Sequence, residues 1–209
     1  RSTLFPYTTL FRSTNRSGKS AVAARFADLG IAVVDTDAIA HELTGAGGAA
    51  MPAIAAAFGP AVVSAAGALD RAAMRRLAFA DAGVRQQLEG ILHPMIRREA
   101  LARCEQALSQ HSPYVILAVP LLVESGAYRQ YVRRVLVVDC DEAVQEQRVM
   151  ARSGLAADEV RRIMSAQAAR AERRAAADDI IDNNGDLAAL IPQVEALHDR
   201  YLAASEKRP

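Results

Sequence analysis

The chain has 209 residues with 25 basic against 24 acidic side chains, a net charge of +1, and 51% apolar content. That supplies a sizeable core, excludes a disordered chain or a small disulfide scaffold, and leaves no bulk electrostatic pull toward nucleic acid or an anionic membrane. Cys104 and Cys140 have no C-x-x-C or Cys/His spacing, which disfavours zinc, fits a reducing compartment and reads both as packing residues.

Taken in chain order, the first segment looks foreign. Thr3–Ser13, TLFPYTTLFRS, reads as the in-frame translation of a widely used short-read sequencing adaptor, so residues 1–16 are expected to be an artefact replacing a first strand and part of the loop that follows it. The competing reading is a genuine strand, because Phe5, Tyr7 and Phe11 alternate roughly as strand residues do. Neither reading offers a secretory leader: the apolar stretch is short, broken by Pro6 and followed by no small-residue cleavage pattern.

Ser17-Gly18-Lys19-Ser20, followed by the helical stretch Ala21–Leu29, is the right half of the phosphate-binding pattern G-x-x-x-x-G-K-[ST]. Its first glycine would fall at position 13, where Ser13 stands, and Asn15 and Arg16 occupy the loop ahead of Ser17. Gly18 lets backbone N–H groups close on phosphate oxygens, Lys19 brings a point charge to the β and γ phosphates, and the Ser20 hydroxyl can hold Mg²⁺. Lys19 is one of two lysines in a chain that otherwise uses arginine, and arginine would not fit that narrow cradle. The alternative is an ordinary helix start capped by Ser17.

An apolar run, Ile31–Val34, then ends in Asp35 and Asp37. Two apart on a strand, both carboxylates would point to one side of the sheet's edge, one taking or orienting a hydroxyl proton and the other fixing Lys19 or Mg²⁺ through water. The plainer role is for Asp37 to cap a helix over Ala38–Leu43. Thr44–Leu69 is uncharged and long enough to cross a bilayer, but its five glycines with Pro52 and Pro60 make it a loop and helix segment. The chain is therefore expected to be cytoplasmic. Helical stretches follow at Asp70–Ala80 and Pro94–Ser109, in about eighty residues without strand signal, too long for a crossover and large enough to hold a substrate.

Three further apolar runs end in polar residues: Tyr114–Val119 at Pro120, Val135–Val138 at Asp139 and Asp141, and Asp179–Ile181 at Asp182, Asn183, Asn184 and Gly185. Runs this continuous suit strands buried on both faces of a parallel sheet, whose C-terminal edge is where ligands sit. The helical segment Asp158–Asp178 is rich in arginine and suits a lid closing on a triphosphate; Arg148 and Arg152, just upstream, are singled out, the others being assigned to a solvated face with partners such as Glu172.

The ordered set SGKS, VVDTDAIAHEL, LDRAAMRRLAF, LEGILHPMI, YVILAVPLLVESG, RVLVVDCDEAVQEQRVMAR and IMSAQAARAERRAAADDIIDNNG resembles one family from about Ser17 to Tyr201, the dephospho-coenzyme A kinases. The resemblance implies an α/β fold: a three-layer P-loop core with a parallel sheet of about five strands, a helical substrate insertion at about 40–110 and a helical lid at about 145–177, in one kinase domain over 17–205. It implies transfer of the γ-phosphoryl of ATP, with Mg²⁺, to the ribose 3′-hydroxyl of dephospho-coenzyme A. By that likeness Asp37, Lys19 and Arg148 are catalytic; Asn15, Arg16, Ser17, Gly18, Lys19, Ser20, Arg152, Asn183, Asn184 and Gly185 hold the nucleotide; Asp35, Leu121, Leu122 and Glu124 meet the acceptor; and Ser20 holds the metal. His93-Pro94 also matches but reads as a structural helix start. No nucleic-acid or membrane partner is expected, and the protein is expected to be a monomer or weak homo-oligomer. Competing classes are another small-molecule kinase of the same fold, a nucleotide switch, which would need N-K-x-D where Asn183-Asn184-Gly185-Asp186 has no lysine, and a nucleic-acid binder, for which the 5% aromatic content offers no stacking platform.

Overall fold

A computed structural model of the chain describes residues 8–12, 18–119, 128–153, 156–165 and 169–206. Five strands form one sheet: β1 (Thr8–Arg12), β2 (Ala32–Asp35), β3 (Val115–Ala118), β4 (Arg134–Asp139) and β5 (Asp179–Asp182), in the order β2-β3-β1-β4-β5. β1 lies in the middle, parallel to β3 with Thr8 opposite Val115, and parallel to β4 with Thr9 opposite Arg134. Among the described residues its ladder starts at Thr8. β5 adds in parallel outside β4, with Leu136 opposite Asp179.

The chain divides into two compact units, residues 1–34 with 104–209, and residues 35–103. In the first, α1 (Lys19–Asp28) and the C-terminal helix bury Val22, Phe26, Val194 and Leu197 against Ile116, Leu136 and Ile181 of the sheet. Both faces of β3 are buried, which is why its sequence reads as an unbroken apolar run. β5 departs from that expectation: its residues alternate buried and exposed, with Ile180 39% exposed, because it is an edge strand. Phe26 stacks on Tyr201, and both meet Tyr114, whose hydroxyl bonds His198 Nδ1 at 2.7 Å. Cys104 and Cys140 are buried free thiols; burial pushes both upward, Cys104 to about 12, so they pack rather than react.

The second unit is helical: α2 (Thr36–Leu43), α3 (Met51–Phe58), α4 (Arg71–Ala80) and the part of α5 (Ala82–Ser109) up to Arg103. Ala50, Met51, Ile54, Val62 and Met74 form its core. The glycine-rich stretch from Thr44 to Leu69 folds back on itself, Leu69 N donating to Thr44 O at 2.9 Å and Val63 bridging Leu69. Pro94 does not start a helix, as its sequence context suggests, but sits inside α5. Its ring has no N–H for the helical bond to the carbonyl four residues back, which belongs to Gly90.

Candidate active site at the sheet edge

α1 starts at Gly18, whose φ of 92° is left-handed and whose side-chain-free backbone opens the helix with no side-chain cap. Lys19 and Ser20 are the first two helical residues, so the unpaired N–H groups of a helix start lie among the side chains that suit a phosphate. Ser13, Asn15, Arg16 and Ser17 lie outside the described residues, as do Leu121, Leu122 and Glu124. Ser17 as a cap is thus replaced, among the described residues, by Gly18.

The strand ends are bound tightly to the segments that follow them. Asp139, last in β4 and with its side chain 3% exposed, accepts from Arg170 Nη2 at 2.8 Å and Arg174 Nη1 at 2.5 Å, while Arg170 Nη1 also reaches Asp141 at 2.5 Å. Burial pushes the Asp139 carboxyl up, but the bonds from Arg170 and Arg174 outweigh it and hold the group below the usual carboxylate range. Both arginines lie on a short helix, α8 (Arg170–Ala175), preceded by α6 (Glu142–Ser153) and α7 (Ala157–Ser165). The expected helix Asp158–Asp178 is therefore interrupted. Glu172 is occupied by the Ala169 N–H at 3.1 Å rather than serving a neighbouring arginine.

Arg148, on α6, spends its guanidinium on two carbonyls, Asn183 O and Gly185 O, each at 2.6 Å. Asn183 N in turn donates to Asp139 O at 2.7 Å, and Asp141 N to Asn184 Oδ1 at 2.8 Å. The Asn183 carboxamide lies against Gly18, its Cγ 3.0 Å from where a Cβ on that glycine would be. The structure thus brings together Gly18, Lys19, Ser20, Arg148 and Asn183–Gly185 within the first unit. Sequence reasoning missed the Asp139–Arg170–Arg174 cluster, since nothing in a spacing of thirty-odd residues signals it. The side chain of Arg152 lies outside the described residues.

In the helical unit Asp35 closes β2 and its Oδ1 accepts from Asp37 N at 2.9 Å, so Asp35 caps α2. That gives to Asp35 the cap weighed as the alternative role of Asp37, which is an exposed first-turn residue of α2, and removes the period-two argument for aligning the carboxylates, since Asp37 is helical. Within the same unit a cavity of about 310 Å³ is walled by Leu69, Met74, Leu88 and Leu92, with Arg71 and Arg75 at its polar side. Arg71 is held in place by His41 Nδ1 at 2.8 Å and Thr44 Oγ1 at 3.2 Å.

A family model described as dephospho-CoA kinase matches residues 15–189. The chain belongs to the dephospho-CoA kinase family. A dephospho-CoA kinase of Dechloromonas aromatica is 59% identical over 192 residues, 92% of this chain and 91% of that protein, and one of Aromatoleum aromaticum is 57% identical over 189 residues, 90% and 91% of the two. Among solved structures, TT1252 from Thermus thermophilus superposes with a TM-score of 0.78 at 34% identity over 93% of this chain and 97% of that one. A dephospho-CoA kinase from Campylobacter jejuni, 22% identical, shares the fold with a TM-score of 0.73 over 95% and 98%. The α/β architecture is that of a P-loop kinase. Among the described residues no helix is long and apolar enough to cross a membrane, and no group of three or more metal-ligating side chains is found.

Proposed function

We propose that the protein transfers the γ-phosphoryl of ATP to the ribose 3′-hydroxyl of dephospho-coenzyme A in the cytoplasm, with residues 145–177 as a lid and the helical insertion holding the acceptor. The observation that carries this reading is the start of α1, where Gly18, Lys19 and Ser20 present a left-handed turn, a cation and a hydroxyl at a helix N-terminus. The family match supports the choice of acceptor.

In this scheme Asp37 accepts the 3′-hydroxyl proton, the freed oxygen bonds to the γ-phosphorus, and the bond to the β,γ-bridging oxygen breaks to leave ADP. Lys19 offsets the charge gathering on the transferred group. A magnesium ion takes few protein ligands and keeps its waters, which fits the exposed Ser20 hydroxyl. When bound by Ser20 it would neutralise phosphate charge. Asn183–Gly185 would line the nucleotide, Asn184 and Gly185 toward the adenine side and Asn183 where the turn meets Gly18. Arg148, anchored on Asn183 O and Gly185 O, keeps further N–H donors for a phosphate. Asp35, capping α2, would set where Asp37 stands, and the cavity beside Arg71 and Arg75 suits an acceptor with an apolar arm.

The test is ADP release by the full chain with dephospho-coenzyme A against a panel of nucleosides, nucleotides and small alcohols. Turnover that depends on dephospho-coenzyme A is the expected result. Preference for another acceptor would replace it with a different kinase of the same fold.

A further inference from the structure

We infer that Asn183 is a positioning residue for the phosphate end of the nucleotide: its carboxamide packs on the backbone of Gly18 and holds the left-handed turn from which Lys19 and Ser20 are presented. This rests on the reading of the α1 start as the ATP phosphate site.

The glycines with positive φ separate into two kinds. At Gly30, Gly47, Gly59 and Gly67 a Cβ would meet nothing within 4 Å, so only the backbone conformation asks for glycine. At Gly18 the conformation and the surroundings both ask for it, because a Cβ would stand 3.0 Å from Asn183 Cγ and 3.3 Å from its Oδ1. A side chain from the far end of the sequence fills the place that any other residue at 18 would need.

Asn183 is itself fixed. It is 4% exposed, its N–H bonds Asp139 O at 2.7 Å, and its carbonyl accepts from Arg148 Nη1 at 2.6 Å. The next two residues are tied by Asp182 Oδ1 to Asn184 N at 2.8 Å and by Arg148 Nη2 to Gly185 O at 2.6 Å. Such a turn does not yield when a loop presses on it, so the Asn183 amide acts as a wall against which the Gly18 peptide is set before nucleotide arrives. Preset donors bind phosphate without the entropy cost of ordering them. A neutral amide also suits the place: a carboxylate of the same shape would face the phosphates as a like charge.

The experiment measures kcat and KM for ATP and for dephospho-coenzyme A, with ATP affinity by calorimetry, in the full chain and in Asn183→Ala, Asn183→Asp, Gly18→Ala and the Gly18→Ala/Asn183→Ala double variant. Asn183→Ala is expected to raise KM for ATP about tenfold while leaving the acceptor KM unchanged and kcat within about threefold. Asn183→Asp, which keeps the shape, is expected to raise KM for ATP by more. Gly18→Ala should weaken ATP binding by about a hundredfold, and removing the Asn183 side chain should return about tenfold of that, the remainder being backbone strain. Wild-type KM for ATP in both single Asn183 variants, or no recovery in the double variant, overturns the proposal; a lowered melting temperature with unchanged KM does the same, since that is a purely structural role. ATP binding without turnover of dephospho-coenzyme A would sink the acceptor assignment and leave these affinity comparisons decisive, whereas a chain that binds no ATP overturns both.

Discussion

In the unit built on the sheet, charge is buried; in the helical unit Asp35–Arg103, what is buried among the described residues is apolar apart from the uncharged Thr36 and Thr44. Asp139, Arg173 and Asp179, the buried charged side chains among the described residues, all belong to the first. Asp179, 2% exposed in its side chain, accepts from Arg134 at 2.7 Å, Arg200 at 2.7 Å and the Tyr201 hydroxyl at 2.9 Å, which ties the C-terminal helix α9 (Leu187–Glu206) to β5. The helical unit instead spends its acids at the surface, Asp35 and Asp70 on helix starts and Glu42 and Glu99 on Arg103. Taking a carboxylate out of water is costly unless its partners sit at fixed angles, so such pairs specify orientation more than they add stability. An apolar cluster tolerates repacking and here leaves a cavity. The contrast assigns rigidity to the sheet unit and room for repacking to the helical unit.

The sharpest way to break that division is Asp37→Asn, which should lower kcat by about a thousandfold with ATP affinity unchanged in a binding assay; an unimpaired variant removes Asp37 from proton transfer. Next, Asp139→Ala removes the buried acceptor shared by Arg170 and Arg174, leaving Arg170 its bond to Asp141, and should cost about 3 kcal/mol in urea unfolding, more than any surface pair in the helical unit. A loss no larger than that for Glu99→Ala would show that burial of charge does not distinguish the units. Filling the cavity with Ala78→Trp should raise the acceptor KM about tenfold and leave KM for ATP alone, whereas equal changes in both would mean the cavity is not specific to the acceptor. Asp70→Ala removes a cap that accepts from Ala72 N and Ala73 N and should cost about 1 kcal/mol with no kinetic effect.

Acid separates the units more gently. For both Asp139 and Asp179 burial pushes the carboxyl up, but the arginine bonds, with that of Tyr201 at Asp179, hold it below the ordinary 3.8. Their contribution to stability is therefore complete above about pH 4 and is lost as pH falls through the lowered values. Circular dichroism of an Asp139→Asn variant should show a shallower decline below pH 4 than the parent.

Much of this was legible beforehand. β3 and β4 announce themselves as continuous apolar runs because both faces are covered, and Gly18-Lys19-Ser20 before a helix needs little context. Three things were not. Asp35 and Asp37 look alike as a pair, but the chain turns from strand to helix between them, and only the dihedrals decide which one caps. Pro94 reads as a helix start because proline favours first turns, yet α5 runs through it. Arg170 and Arg174 read as solvated because their partner is not a helical neighbour but Asp139 at a strand end, a contact fixed by tertiary structure.

The position of β1 has a consequence for how the molecule is made. The earliest described strand to leave the ribosome can find its neighbours, β3 and β4, only after the whole of residues 35–103 has been synthesised. Closure of the sheet is thus a late, long-range event, and until it occurs a strand destined for the centre of the sheet has to wait while a helical unit that can fold from local contacts is made.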